Sequence, residues 1–252
     1  MKIFRPWLVL AMLLTTALGL GIAHRLELQI NIDKATLGFV LVLLLMESRA
    51  FLEAFYRHPS APENRLNHAA KVNDPYLAAV EQFQRPVLLY ISLVLLGTTA
   101  LVVTLMAIQG ELSPAADVLL GVVFLMCFFS SVPPLELSEK GYAEIVEAML
   151  VTILVPALTL ALQLGEVHVL VLLLTLPLTL IYLALRIAIS LEAYGRDSLL
   201  ERQGLLMRIG WQRGMSLHNF SLIGSYVLVG IFFAFFIPWS LAWPYLLSIP
   251  FA

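Results

Sequence analysis

Cysteine is nearly missing from this 252-residue chain, in which Cys127 stands alone. One thiol can form neither an intramolecular disulfide nor a cysteine-based zinc site. Charge is scarce as well: Asp, Glu, Lys and Arg make up 13%, against 60% hydrophobic residues. No Gly-rich phosphate loop, no His-Glu-x-x-His and no Gly-x-Ser-x-Gly occurs, so the common nucleotide-loop, zincin and serine-hydrolase patterns are excluded. Nothing marks nucleic-acid binding either, because the basic residues gather at the ends of apolar runs, where membrane orientation accounts for them.

What fills the chain is hydrocarbon. Mean hydropathy is +0.91, and apolar runs of about 20 residues, each able to cross roughly 30 Å as a helix, recur from end to end. Barrel strands would alternate polar and apolar residues; these runs are continuous, so helices are expected. The fold class is therefore all-α: a polytopic transmembrane bundle of about seven or eight helices. The spans expected are Pro6–Ala23, Thr36–Tyr56, Pro86–Ile108, Ala116–Phe129, Tyr142–Leu164, Val167–Ser190 and Leu217–Ile237. The first is long for the apolar part of a signal peptide, and we read it as a span. A last run, Trp239–Ala252, is short and carries two prolines, so it makes an eighth helix only if thin or broken. The whole chain, 1–252, reads as a single transmembrane domain.

Positive charge orients it. Lys2, Arg5, Arg57, Arg65, Lys71, Arg85, Lys140, Arg186, Arg196, Arg202, Arg208 and Arg213 fall at or near one side, against Arg25 and Lys34 on the other. This bias places the N-terminus in the cytoplasm of a cell whose inner membrane holds the chain. The polar segments at 57–85, 130–142 and 191–216 then share the cytoplasmic face. The run Arg186–Ser216 is the most charged of all, with five of the fifteen Lys and Arg together with Glu192, Asp197 and Glu201.

Each large polar segment follows an even-numbered span. One reads SSVPPLELSEKGYAEIVEAM and another ends LLMRIG. Together with Arg-Pro near the start of the first span, this order resembles the UbiA superfamily of intramembrane prenyltransferases. Pro133, Pro134, Leu135, Lys140, Gly141 and Glu144 match that family's Pro-Pro-Leu segment, and Arg208 with Gly210 match its Leu-x-x-Arg-Leu-Gly. The layout is similar along nearly the whole chain; by residues, only these two segments match. The resemblance implies a cavity for a prenyl diphosphate, held through Mg²⁺ by two acidic motifs. In this chain the first motif's place holds Glu53 and Arg57, and the second's holds Ala193 and Asp197. The Tyr expected before Pro-Pro is Ser130.

These departures have a physical consequence. Mg²⁺ is usually held by one or two carboxylates with phosphate and water, and a diphosphate needs its charge neutralised before its ester bond can break. Arg57 at a ligand position repels the metal. Asp197 and Glu201 lie four apart, on one helical face, and are the remaining metal and catalytic candidates. Lys140 and Arg208 are the diphosphate-binding candidates that the resemblance implies.

Arg49, Glu53 and Arg57 are spaced i, i+4, i+8, a stripe about 12 Å long on one helix face. Three readings stand: a structural ion-pair ladder, a metal-free clamp for a phosphate or lipid head, or a remnant. Glu192 and Arg196 are a surface pair or an acid with its anchor. Asp197 is also a candidate N-cap for SLLERQ. His58, His68 and His218 lack ligand spacing and read as solvated. Trp7, Trp211, Trp239 and Trp243 fit interfacial anchors. Pro133-Pro134 should stop the fourth helix, and Pro156 and Pro177 should kink the fifth and sixth.

The function expected is that of a prenyltransferase-like membrane protein that has lost Mg-dependent chemistry. It would persist as a lipid- or isoprenoid-binding protein or a subunit of a membrane complex, holding a lipid, quinone or pigment tail and no metal. The alternative is a working enzyme joining a prenyl diphosphate to an aromatic or quinone precursor, with Mg²⁺ on Asp197 and Glu201. A transporter ranks last, since the spans offer few polar residues beyond those near the end of the second.

Overall fold

A computed structural model of the chain describes residues 6–57, 75–138, 140–199 and 204–236. Every regular element among them is helical. In order these are α1 (Pro6–Arg25), α2 (Ile32–Arg57), α3 (Pro75–Ile108), α4 (Pro114–Ser131), α5 (Ala143–Leu164), α6 (Val169–Leu199), the short α7 (Leu205–Ile209) and α8 (Trp211–Phe235). Seven of them are long and apolar enough to cross a membrane. The protein is an integral membrane protein, and its outward apolar side chains, among them Tyr90, Val94, Phe220 and Ile223, contact lipid. The run Trp239–Ala252 lies outside the described residues.

The bundle is built around α5. It is 83% buried along its span, whereas α3 and α8 are 17% buried along theirs. A helix apolar on every side gains from being enclosed, and α5 is enclosed by α1, α2, α4 and α6. Helix α3 packs on α2 and α8 on α6, as outer members. The core is Met12 from α1, Leu41 and Leu45 from α2, Val123 from α4, and Leu150, Val151 and Leu158 from α5. Gly19 lets α1 press against α5: a β-carbon there would stand 2.9 Å from the Pro156 carbonyl oxygen and the Thr159 Cβ.

Local chemistry sets the ends. Ser113 caps α4 by accepting from the Ala116 N–H at 3.2 Å, with Pro114 just inside. The helix stops at Ser131, two residues before Pro133-Pro134, as expected. Gly165, at φ 87°, closes α5 in the left-handed region. Within α5, Leu150–Leu154 form a π turn in which the Val155 N–H reaches back five residues to the Leu150 carbonyl. Pro156 follows at once and has no N–H to continue the ladder, which explains the irregularity at that place.

Several helix limits differ from those expected. Helix α3 starts at Pro75, so Pro86 lies inside it and part of the 57–85 segment is helical. A proline this close to the end of an apolar run is accommodated without stopping the helix. Helix α6 runs past Ser190 to Leu199, so Asp197 is in a helix interior and is no N-cap. Its Pro177 is likewise carried within the helix, and the Ser225 hydroxyl donates to the Pro177 carbonyl at 2.9 Å. Helix α8 begins at Trp211, six residues before the expected Leu217.

The two ends of the bundle differ. At one, the short turns are tied by Asn31 N–H to Gln163 Oε1 (2.8 Å), Gln163 Nε2 to the Asn31 carbonyl (3.0 Å) and Lys34 Nζ to the Glu111 carbonyl (3.5 Å). At the other, the C-termini of α2, α4 and α6 meet the start of α5 and the short α7, and charge accumulates. That end carries the candidate site.

Candidate functional site

Two ion pairs occupy the charged end. On α2, one turn apart, Arg49 and Glu53 approach to 3.2 Å, with side chains only 6% and 11% exposed. The loop after α4 closes on this pair. Ser138 donates its hydroxyl to Glu53 Oε1, the Arg49 guanidinium reaches Ser138 Oγ at 3.5 Å, and Ser131 donates to the Arg49 carbonyl at 3.2 Å. Backbone bonding places Ser138 there, its N–H donating to the Ser130 carbonyl at 2.9 Å. The stripe expected on α2 is therefore a buried pair completed by serines from another segment. The Arg57 side chain, its third member, lies outside the described residues.

The second pair joins α5 to α6. Glu147 Oε1 lies 3.1 Å from Arg186 Nε and accepts the Tyr182 hydroxyl at 3.1 Å. The Arg186–Glu147 contact is an ion pair rather than an aligned hydrogen bond, since Arg186 Nε finds no hydrogen-bond partner. The Arg186 guanidinium rests 4.7 Å above the Trp7 ring, and Trp7 also packs on Tyr182, with ring centroids 6.3 Å apart. Trp7 is thus a partly buried packing residue of the bundle. The rigid ring offers a cation its negative face where water is excluded. Trp211, by contrast, is 51% exposed, as an anchor would be.

A third carboxylate, Glu144, sits one turn before Glu147. Its Oε1 accepts from Ser190 Oγ at 3.3 Å, while Oε2 is buried with no partner among the described residues.

Beside these groups opens a cavity of about 730 Å³, within the range usual for small-ligand sites. Lys140, Arg208 and Glu136 bring charge to its wall, and Tyr56 and Met207 complete one side. Gly141 and Gly204 meet at its back. Gly141 holds φ 80°, and a β-carbon there would come within 3.1 Å of the Gly204 carbonyl, so glycine is required on two counts. Arg208 donates to the Lys140 carbonyl at 2.9 Å and lies 4.9 Å above the Tyr142 ring; Lys140 Nζ donates to the Pro134 carbonyl at 3.0 Å.

Lys140 and Arg208, 68 residues apart, are therefore brought together in one wall. Arg49 and Glu53 are brought together with each other, about two turns and one turn deeper on α2 than Tyr56, and are not among the residues lining the cavity. The Asp197 side chain and all of Glu201 lie outside the described residues. Glu192 is exposed. His218 is not simply solvated: it is partly buried, with Nδ1 2.9 Å from the Ala184 carbonyl. His58 and His68 lie outside the described residues.

The residues at the place of the first acidic motif do not fit Mg²⁺. Glu53 gives Oε1 to Arg49 and Ser138, and a guanidinium 3.2 Å away repels a dication. Among the described residues no three His, Cys, Asp or Glu side chains converge as metal ligands.

Sequence reasoning passed over Glu147, Tyr182 and Ser138, and used Arg186 only for orientation. The signal was present for two of them, because Glu147 and Arg186 are ionisable residues inside apolar spans, and such residues face a bundle interior and pair there. The spans are expected to offer few polar residues beyond those near the end of α2; α5 and α6 also carry buried charge.

No family model matches the chain, and no curated protein matches it.

Proposed function

We propose that this chain is a UbiA-like protein of the inner membrane, N-terminus in the cytoplasm, that binds a lipid or isoprenoid molecule without performing Mg-dependent prenyl transfer, alone or as a subunit of a membrane complex. One observation carries the reading: Glu53, at the place of the first metal motif, is consumed by Arg49 and Ser138. A carboxylate neutralised by its own helix has little left for a cation. The cavity beside it, with Lys140 and Arg208 in its wall and apolar spans beneath, suits an amphiphile with a polar head and a membrane-dissolved tail.

A second reading keeps the chemistry. Lys140 and Arg208 share one wall, where a diphosphate would be bound, and Asp197 with Glu201 would supply the metal ligands. The two separate in one assay. Purified chain is incubated with a prenyl diphosphate, Mg²⁺ and aromatic acceptors, and pyrophosphate is measured. The expected result is no release above a protein-free control. Release abolished by Asp197→Ala would establish the second reading and defeat the first.

A further inference from the structure

Charges of both signs line the cavity among the described residues. Lys140 and Arg208 line it as cations and Glu136 lines it as a carboxylate. A second carboxylate stands behind the wall: Glu144 Oε1 is 3.6 Å from the point where a Gly204 β-carbon would be, and Glu144 Oε2 is buried with no partner among the described residues. Two cations and one carboxylate therefore line one space among the described residues, with Glu144 behind it. A diphosphate, with several negative charges and none positive, would be drawn to Lys140 and Arg208 but repelled by Glu136. A head group carrying one charge of each sign, set a few bonds apart, would find a partner for both.

We propose that the cavity takes the head group of a zwitterionic aminophospholipid, its phosphodiester on Lys140 and Arg208 and its primary ammonium on Glu136. The assignment rests on the lipid-binding reading above. Donors are available: Lys140 gives one N–H to Pro134 and Arg208 one to the Lys140 carbonyl, out of three and five respectively. The depth is right, because Tyr56, which lines the cavity, is the last residue of the apolar span Ile32–Tyr56. The head group is thus met where the hydrocarbon ends. A primary ammonium donates hydrogen bonds to a carboxylate, whereas a quaternary one has none to give and prefers a cage of aromatic rings. Tyr56 is the sole aromatic side chain among the described lining residues.

The test uses the full chain in detergent, with binding of short-chain phosphatidylethanolamine, phosphatidylcholine and phosphatidylglycerol followed by native mass spectrometry. Phosphatidylethanolamine should bind about tenfold more tightly than the other two, the value of one charge-assisted hydrogen bond. Glu136→Gln should erase that preference, weakening phosphatidylethanolamine more than phosphatidylcholine; Lys140→Gln should weaken all three. Glycerophosphoethanolamine, which has the head and no tails, should compete. Phosphatidylglycerol binding as tightly as phosphatidylethanolamine would overturn the proposal, as would a preference that survives Glu136→Gln or a complete lack of competition by the tailless head. Pyrophosphate release in the separate assay, with the head-group preference intact, would defeat only the non-catalytic reading.

Discussion

Glu147 on α5 and Arg186 on α6 stand 3.1 Å apart at the charged end of the bundle, with the Tyr182 hydroxyl on the same carboxylate oxygen and the Trp7 ring under the guanidinium. Residues 7, 147, 182 and 186 are thereby drawn into one contact that fastens α1 to the two central helices. Both charges are nearly dry, with side chains 12% exposed for Arg186 and 4% for Glu147, so each depends on the other.

Glu147→Ala should therefore lower stability by about 3–5 kcal/mol, because it strands a buried guanidinium. Thermal denaturation of the detergent-solubilised protein measures this. The double variant Glu147→Leu/Arg186→Met should recover much of the loss, since it removes both charges; a double variant weaker than Glu147→Ala would refute the pairing.

The Arg49–Glu53 pair makes a similar prediction. Glu53→Ala takes the charge partner from the buried Arg49 and the acceptor from Ser138, and should also cost about 3–5 kcal/mol. Ser138→Ala should destabilise in the same direction but less. If Glu53→Ala melted with wild type, the buried pair would have no structural role.

Two glycines in different spans should respond in opposite ways. Gly19→Ala drives a methyl to within 2.9 Å of the α5 backbone at Pro156 and should cost about 1–3 kcal/mol by forcing the helices apart. Gly97→Ala, with nothing within 4 Å of the new atom, should be neutral or slightly stabilising through helix propensity. Parallel melting curves decide it.

Orientation can be read with thiol reagents, because the single cysteine is hidden. Cys127 is 3% exposed and should resist a membrane-impermeant maleimide until the protein is denatured. In a Cys127→Ser background, Glu166→Cys should label from outside intact cells and Gln212→Cys only after the membrane is opened. The reverse pattern would invert the proposed topology.

Much of the architecture can be read from the chain itself. The spans are visible because a bilayer demands long apolar runs, and their order is visible because polar segments separate them. The stop at Pro133-Pro134 and the close of α5 at Gly165 follow from residues that cannot continue a helix. Helix limits within polar sequence are less legible. The run from Pro75 to Arg85 and that from Ala193 to Leu199 carry α3 and α6 beyond their apolar spans. There, no hydrophobic period marks where a helix must begin or end.

The candidate site divides the same way. Lys140 and Arg208 could be singled out from the segments they occupy, and the structure sets both in one wall. The Arg49–Glu53 contact was legible because four residues make one helical turn. Ser138 was not, since its contact with Glu53 spans 85 residues and depends on how the loop after α4 returns over α2.

From the sequence alone come a membrane-embedded helical chain, its number of long apolar spans and the gathering of basic residues at one end, because each follows from the local cost of placing charge in hydrocarbon. Only the tertiary structure decides which charges neutralise one another. Glu147 lies three residues from Glu144, yet one meets Arg186 and Tyr182 while the other accepts from Ser190 and keeps a second oxygen unpartnered among the described residues. The difference arises because a helix turns each residue toward a different neighbour, and the neighbour is chosen by packing.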